Sequence, residues 1–258
     1  MTAAEQPIPQ DDRIAGPANA FGPAAGDYER ARPTYPPEAI ALLRTHLGVG
    51  PGGRVLDLAA GTGKLTRLLV AAGAAVTAVE PVPGMREQLV AAVPGVAVLD
   101  GTAEAIPFDD GSFDVVTVAQ AFHWFRFDEA LVEIRRVLRP GGGLAIVFNE
   151  RDGREPWVGQ WNEVIDWHAR TIARYQATDW TAVLAGGGFG GVGSEVVEWS
   201  ETMDRDRLAG RVRSVSYIAE LPAAEQQVLV DRVLAIVGRF PETFPVPYRT
   251  HVWWARRP

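Results

Sequence analysis

The sequence predicts an α/β fold: a mostly parallel sheet of seven strands with helices on both faces and a helical lid from the C-terminal half. Three observations predict it. An apolar run at 55–58 ends in a glycine turn that opens directly into a helical pattern. Short apolar runs and helical patterns then alternate up to residue 148, and residues 248–258 show the two-residue period of a strand. Alternating strands and helices favour parallel pairing, because each connecting helix packs back onto the sheet.

The elements of the first half rest on local patterns. A first helix is expected to begin at Pro36-Pro37, because proline suits the first helical position, and the glycines at 48–53 end it. Gly73 ends the helix that follows the glycine turn. The strands of this half are expected at 55–58, 75–79, 96–99, 113–118 and 144–148, with a turn at 139–143.

The chain divides into regions that differ in composition and in the periodicity of apolar residues. Residues 1–20 are rich in Ala, Pro, Gln and Asp without periodicity, so we expect an unstructured tail before a single domain at 21–258. Within that domain, 21–150 form the predicted core and about 151–247 form lid helices with a late strand. The patterns that support this second part are helical spacing of aromatic residues from Trp157 to Tyr175, a strand at 195–199, helices near 204–214 and 222–238, and a final strand at 248–258.

Composition excludes several classes of function. The chain has 258 residues, 47% of them apolar, which is enough for one large core. Its net charge of −7 disfavours nucleic acid as the main partner, and the absence of cysteine excludes disulfides and thiolate metal sites. We find neither a signal-peptide pattern nor an apolar run of membrane-spanning length, so we expect a cytoplasmic protein that does not enter a membrane.

The glycine turn lies in the stretch 54–63, which reads RVLDLAAGTG. Two nucleotide-binding motifs fail here. A phosphate-binding P-loop needs Ser or Thr after Gly63-Lys64, where Leu65 stands, and the dinucleotide fingerprint needs a third glycine, where Thr66 stands. The remaining pattern still brings backbone close to a ligand and offers unpaired N–H groups at a helix start.

VLDLAAGTG followed by Glu80, 17 residues beyond Gly63 (80 − 63), resembles motif I of the class I S-adenosylmethionine-dependent methyltransferases. Four later segments resemble that family's next motifs in order: AVTAVEPVPGM, DGTAEAIPF, SFDVVTVAQAFHWF and RVLRPGGGL. The resemblance covers roughly residues 21–150 and implies a Rossmann-like sheet. FHWF and the lead-in YERARPTYP are similar to one small-molecule subgroup of the family.

The resemblance also implies a cofactor site. Glu80 would accept hydrogen bonds from both ribose hydroxyls, Asp57 would reach the methionine ammonium, and Arg32 would either pair with the cofactor's carboxylate or pack at the surface. Ala59 replaces the usual glycine, and Thr102 the usual aspartate. The positions assigned to S-adenosyl-L-methionine are Tyr28, Arg32, Asp57, Ala59, Gly61, Thr62, Gly63, Glu80, Pro81, Met85, Thr102, Ala103 and Gln120.

Methyl transfer requires alignment, exclusion of water and, for some acceptors, removal of a proton. His123 lies just after the fourth predicted strand and is the best-placed candidate base, although a structural role, with a hydrogen bond to the lid and packing between its aromatic neighbours, is the favoured interpretation. Phe122, His123, Trp124 and Asn149 are expected to line the substrate pocket. No histidine or carboxylate spacing indicates a metal site.

The sequence therefore predicts an S-adenosylmethionine-dependent methyltransferase that acts on an O, N or C nucleophile of a small molecule. Two alternatives stay open. A nicotinamide-dependent oxidoreductase uses a similar sheet, and a cofactor-binding protein without catalysis would tolerate the departures at Ala59 and Thr102.

Overall fold

The computed structural model describes residues 32–167 and 178–258. The predicted tail at 1–20, Tyr28, and the segment from His168 to Tyr175 of the aromatic stripe lie outside the described residues. The strands are β1 (Arg54–Leu58), β2 (Ala75–Val79), β3 (Ala97–Leu99), β4 (Phe113–Ala119), β5 (Leu138–Arg151), β6 (Gly190–Asp204) and β7 (Thr243–Arg256).

The described helices surround this sheet. They are α1 (Pro37–Leu47), α2 (Lys64–Ala71), α3 (Pro83–Ala92), α4 (Phe127–Val137), α5 (Pro156–Val164), α6 (Trp180–Gly186), α7 (Arg205–Arg213), α8 (Ser216–Ala219) and α9 (Ala223–Ile236). Pro37 opens α1 and Gly48, in the left-handed conformation, ends it, as the proline and glycine positions predict.

The seven strands form one sheet in the order β3-β2-β1-β4-β5-β7-β6. The pairs among β1 to β5 are parallel, whereas β7 runs antiparallel to both β5 and β6. The predicted α/β class, with a mostly parallel seven-stranded sheet, is therefore confirmed. Strands from both halves of the chain share this sheet.

Two strands are longer than their patterns indicate. The glycines expected to form a turn at 139–143 lie inside β5, where the register shifts and a side chain on Gly142 would meet the Asp114 carbonyl oxygen at 2.9 Å. In β7, Pro245 and Pro247 pair with β6 in a stretch that extends past the end of the β5 pairing. The prolines therefore interrupt only one potential ladder, which is why they do not end the strand.

In the described part of the chain, three large apolar clusters hold the layers together, and a fourth, smaller one packs α3 on β2. One face of the sheet packs on α4 and α6, and the other packs on α1 and α2. The third cluster joins α5, α7, α8 and α9 to the ends of β6 and β7 through Trp161, Leu208, Val230 and Tyr248. This third cluster places the helices of the second half beside the C-terminal ends of the parallel strands.

Candidate functional site

A cavity of about 290 Å³ opens at the C-terminal ends of the parallel strands. Parallel sheets concentrate ligand sites at this edge, because the loops that leave the strands meet there. The sequence-predicted residues that line it are Arg32, Ala59, Gly61, Thr62, Glu80, Pro81, Met85, Thr102, Ala103, Gln120, Trp124 and Asn149.

Four predicted site residues lie outside this lining. Asp57 and Phe122 are fully buried, Gly63 faces α3, and His123 packs beside the cavity rather than on its wall. Tyr28 belongs to the part of the chain that is not described. The structure thus brings together predicted cofactor positions from the loops after β1, β2, β3 and β4 and from the segment before α1, and it places part of the predicted substrate pocket in the core.

Glu80 is the buried anion of the cavity. Its side chain follows β2 and is 4% exposed. Oε2 accepts the Gly61 N–H at 2.8 Å and Oε1 accepts the Val82 N–H at 2.9 Å. Burial raises the pKa of Glu80 despite these two bonds. The carboxylate thus holds the glycine turn against the end of β2 and keeps one acceptor position on each oxygen.

Asp57 acts beneath the cavity floor. Its Oδ2 accepts the Thr66 hydroxyl at 2.6 Å and its Oδ1 accepts the Thr117 hydroxyl at 3.0 Å. Burial raises the pKa of Asp57 to about 6, with the threonine bonds acting in the opposite direction. These contacts join β1, α2 and β4, so in this structure the side chain ties the elements together and does not reach the cavity.

The two glycines of the turn face different ways. Gly61 has φ +59° and borders the cavity, and the atom nearest to a side chain placed there is Met85 Sδ at 3.9 Å. Gly63 has φ +85°, and a side chain there would meet Leu89 Cγ at 3.0 Å. Gly63 therefore allows α2 and α3 to approach, whereas Gly61 keeps the wall of the cavity open.

The FHWF segment divides between cavity and core. Trp124 and Phe125 line the cavity. Phe122 is fully buried and stacks on Phe127 at a centroid distance of 5.5 Å. The His123 ring contacts the rings of Trp124 and Phe148 at 4.8 and 5.5 Å between centroids. The expected pocket position of Phe122 is wrong, because the short helical turn at Phe122–Trp124 directs this side chain into the core.

The strand ends on the β5 side hold the segment that precedes α1. Asn149 Nδ2 donates to the Thr34 carbonyl oxygen at 2.6 Å, and the Asn149 carbonyl oxygen accepts from Gln120 Nε2 at 3.0 Å. Gln120 itself has φ +59°, an uncommon conformation for a residue with a side chain. These bonds place Arg32 and Tyr35 on the cavity wall.

A second-half residue that the motifs do not indicate also reaches the cavity. Arg211 of α7 lines it and is 4% exposed. The Arg211 Nη1 donates to the Ser214 hydroxyl at 3.2 Å, and Arg32 Nη2 donates to the Ser214 carbonyl oxygen at 2.8 Å. One signal would have found Arg211: it shares the apolar register of Leu208 and Val212, so the helix turns it inward.

Two features are absent from the part of the chain that the structure describes. Within 32–167 and 178–258, no three His, Cys, Asp or Glu side chains lie together as a metal site would require. No helix in the same ranges has the length and apolar character needed to cross a bilayer.

Comparisons with known proteins place this geometry in context. Residues 56–146 match the family model described as a methyltransferase domain. An uncharacterized methyltransferase of Mycobacterium tuberculosis is 43% identical over 222 residues, covering 86% of this chain and 87% of that protein. An uncharacterized methyltransferase of Schizosaccharomyces pombe is 32% identical over 226 residues, covering 86% of this chain and 90% of that protein.

A solved structure shares the fold. The phosphoethanolamine N-methyltransferase 2 of Haemonchus contortus, in complex with phosphomonomethylethanolamine and S-adenosylhomocysteine, superimposes with a TM-score of 0.58. The match covers 98% of this chain and 61% of that protein at 17% identity. At this identity the likeness concerns the fold alone.

Proposed function

The chain belongs to the class I S-adenosylmethionine-dependent methyltransferases, and from that premise we propose how its cavity divides between cofactor and acceptor. The cofactor's adenosyl part binds on the β2 side, around Glu80. The methionine part extends past the glycine turn towards Arg32. The small-molecule acceptor enters on the side of α7. The family assignment replaces the nicotinamide alternative.

The observation that carries this proposal is the buried Glu80 carboxylate on the cavity wall. Each oxygen already accepts one backbone N–H and has a further acceptor position. A ribose offers two adjacent hydroxyl donors, which match these two positions. A carboxylate buried at this depth without such donors is costly, so its chemistry fits the cofactor.

The rest of the lining fits the two ends of the cofactor. Met85, Val82 and Ala103 are buried apolar side chains beside Glu80, and they provide a surface for the adenine ring. Thr102 adjoins them and takes the position of the family's usual aspartate. At the other end, the Arg32 guanidinium would bind the methionine carboxylate as a charge-assisted pair.

When bound, S-adenosylmethionine supplies an activated methyl group and the driving force for its transfer. The chain aligns the reactants and excludes water, because Tyr35, Trp124 and Phe125 line the space in which the acceptor would meet the methyl group. A catalytic role for His123 stays a prediction. Because its ring packs against Trp124 and Phe148, we propose that alignment rather than proton removal by His123 carries the transfer.

Four further statements rest on the sequence and belong to this proposal. We propose a cytoplasmic location, an acceptor that is not nucleic acid, and membership of the small-molecule subgroup with the FHWF segment. We also propose a single domain at 21–258, with the cofactor-binding core at 21–150.

Calorimetry with S-adenosylhomocysteine and with NAD tests the cofactor assignment. We expect the parent protein to bind S-adenosylhomocysteine and not NAD. Glu80→Ala should weaken that binding about a hundredfold or more, since two hydrogen bonds to a charged group are lost. Glu87→Ala, which removes an exposed carboxylate on the neighbouring α3, is the matched control and should bind like the parent.

Two results would contradict the assignment. One is binding of NAD in preference to S-adenosylhomocysteine. The other is unchanged affinity in a Glu80→Ala protein whose thermal unfolding shows that it is folded.

A further inference from the structure

Two arginines are buried where β5 meets the helices of the second half. Arg211 and Arg151 are each 4% exposed. Arg211 lies on the inward face of α7, and Arg151 is the last residue of β5. Long cationic side chains are almost never buried this completely unless a partner compensates the charge.

The contacts of Arg151 stabilise its guanidinium group without neutralising the positive charge. Its guanidinium lies 4.2 Å from the centre of the Trp161 ring and 4.3 Å from that of Trp167. Two of its nitrogens donate to Asn162 Oδ1, at 2.9 and 3.1 Å, while Nη1 is buried without a hydrogen-bond partner. Aromatic faces and an amide stabilise a cation but contribute no negative charge.

Arg211 is compensated even less. It donates to the Ser214 hydroxyl, and its Nε is buried without a hydrogen-bond partner. Burial first, and the charge of Arg211 next, lower the pKa of Arg151 to about 9. The two buried cations thus repel each other.

No carboxylate within 32–167 and 178–258 forms an ion pair with either arginine. The neighbours of Arg151 along β5 are engaged elsewhere: Asp152 pairs with Arg154 at 2.6 Å, and Glu150 lies 3.6 Å from His251. Two other carboxylates line the cavity, Glu80 and Glu104, but they follow β2 and β3 at the far side of the sheet.

We propose that the methyl acceptor carries an anionic oxygen group, a carboxylate or a phosphate, which Arg211 binds inside the cavity while Arg151 strengthens the positive potential behind it. This inference deepens the proposed function and rests on it. An anion in the cavity supplies the hydrogen-bond acceptor and the counter-charge that residues 32–167 and 178–258 do not give to Arg211.

The cofactor does not supply that charge. Its amino acid part carries an ammonium beside its carboxylate and is neutral overall, and its sulfonium adds a further positive charge. With the cofactor in place, the positive charge of the cavity therefore increases. A neutral acceptor would leave the Arg211 guanidinium uncompensated, so the site discriminates against the amide or ester of an acidic acceptor.

Thermal unfolding of the protein saturated with S-adenosylhomocysteine tests the proposal. The probes are sodium succinate and sodium phosphate, compared with sodium chloride at matched ionic strength and with neutral succinamide. We expect saturable stabilisation by at least one of the two oxyanions, and none by succinamide. Succinate alone would indicate a carboxylate acceptor, phosphate alone a phosphate, and both together the shared oxyanion chemistry.

The variants locate the effect. Arg211→Met should weaken the apparent affinity for the oxyanion at least tenfold, and Arg211→Lys should retain part of it. Arg213→Met removes an exposed charge from the same helix and should respond like the parent.

Three results would overturn the inference. They are no stabilisation of the parent beyond chloride, an Arg211→Met response equal to that of the parent, and oxyanion stabilisation that disappears once S-adenosylhomocysteine is bound. The first and third need no variant, so a variant that fails to fold leaves the test intact. Stabilisation by S-adenosylhomocysteine alone, in the absence of any oxyanion, reports separately on the proposed cofactor site.

Discussion

The two sides of the cavity carry opposite charges and are built in different ways. On the β2 side, Glu80 lies 19 positions from Gly61, whose N–H it accepts. On the β5 side, Arg32 bonds to the carbonyl oxygen of Ser214, 182 positions away. The first side is assembled by one strand–turn–helix unit and the next strand. The second exists only after the two halves of the chain have packed together.

This difference explains which part of a binding site can be predicted from a sequence. A site made by consecutive elements leaves a spacing that can be recognised, because the turn and the carboxylate must lie at fixed offsets. A site made by distant elements leaves only single residues in unusual registers. Arg211 is such a residue, with nothing in its neighbourhood to indicate which surface it would meet.

The largest expected effect is the pH dependence of stability that comes from Asp57, the carboxylate buried beneath the cavity floor. Because burial raises the pKa of Asp57 to about 6, the native state binds this proton more tightly than the unfolded chain. Below about pH 4 the Asp57 carboxyl is protonated in both states and its ionisation does not affect stability. As pH rises from about 4 to 6, its ionisation lowers the free energy of unfolding by about 3 kcal/mol. Asp57→Asn should therefore gain stability relative to the parent across that range. Urea unfolding at pH 4.5 and 7.5 measures the gain.

Asp114→Asn provides the contrast. In the parent protein, burial acts to raise the pKa of the Asp114 carboxyl, but hydrogen bonds from the Arg54 backbone N–H and from the Arg139 and Arg54 side chains hold this pKa at about 2. Asp114→Asn should therefore show no gain between pH 4.5 and 7.5. A parallel response of the Asp57 and Asp114 variants would refute the assignment of the pH effect to the buried network around Asp57.

The next effect separates the two glycines of the turn. Gly61→Ala and Gly63→Ala both place a side chain at positive φ, but only Gly63→Ala drives it against Leu89. We expect Gly63→Ala to cost about 2–3 kcal/mol of stability and Gly61→Ala about 1–2 kcal/mol. Affinity for S-adenosylhomocysteine should change in the opposite order, because only Gly61 borders the cavity. Denaturation should show the larger loss of stability in Gly63→Ala, and calorimetry the larger loss of affinity in Gly61→Ala. Equal losses of the two variants in both measurements would contradict these separate roles of the two glycines.

Most of the parallel core could be predicted because its signals are local. The bounds of β2 agree with the prediction at 75–79, and Glu80 comes directly after that strand. The extent of β5 could not be read in advance, since its glycines accommodate a shift of register against Phe113 rather than a turn. The core position of Phe122 could not be predicted, because an aromatic residue after a strand end gives the same sequence pattern whether its side chain lines a cavity or packs on Trp180.

The smallest effect concerns Ala59, which stands where the family usually has glycine. Its φ is +55°, a conformation that costs about 1–2 kcal/mol for a residue with a side chain. Glycine removes that cost but increases the entropy of the unfolded chain by about 0.4–1 kcal/mol. Ala59→Gly should therefore raise the free energy of unfolding by roughly 0.5–1 kcal/mol, as measured by urea denaturation. A loss of stability would show that the left-handed conformation carries no strain here.

The division of the cavity between cofactor and acceptor can be measured most directly by calorimetry with a pair of ligands. S-adenosylhomocysteine carries the amino acid part, and 5′-methylthioadenosine lacks it. We predict that Arg32→Met weakens binding of the first about tenfold and leaves the second unchanged, while Arg211→Met alters neither. A loss of S-adenosylhomocysteine affinity in Arg211→Met as large as that in Arg32→Met would contradict the account, because the α7 side would then serve the cofactor rather than the acceptor.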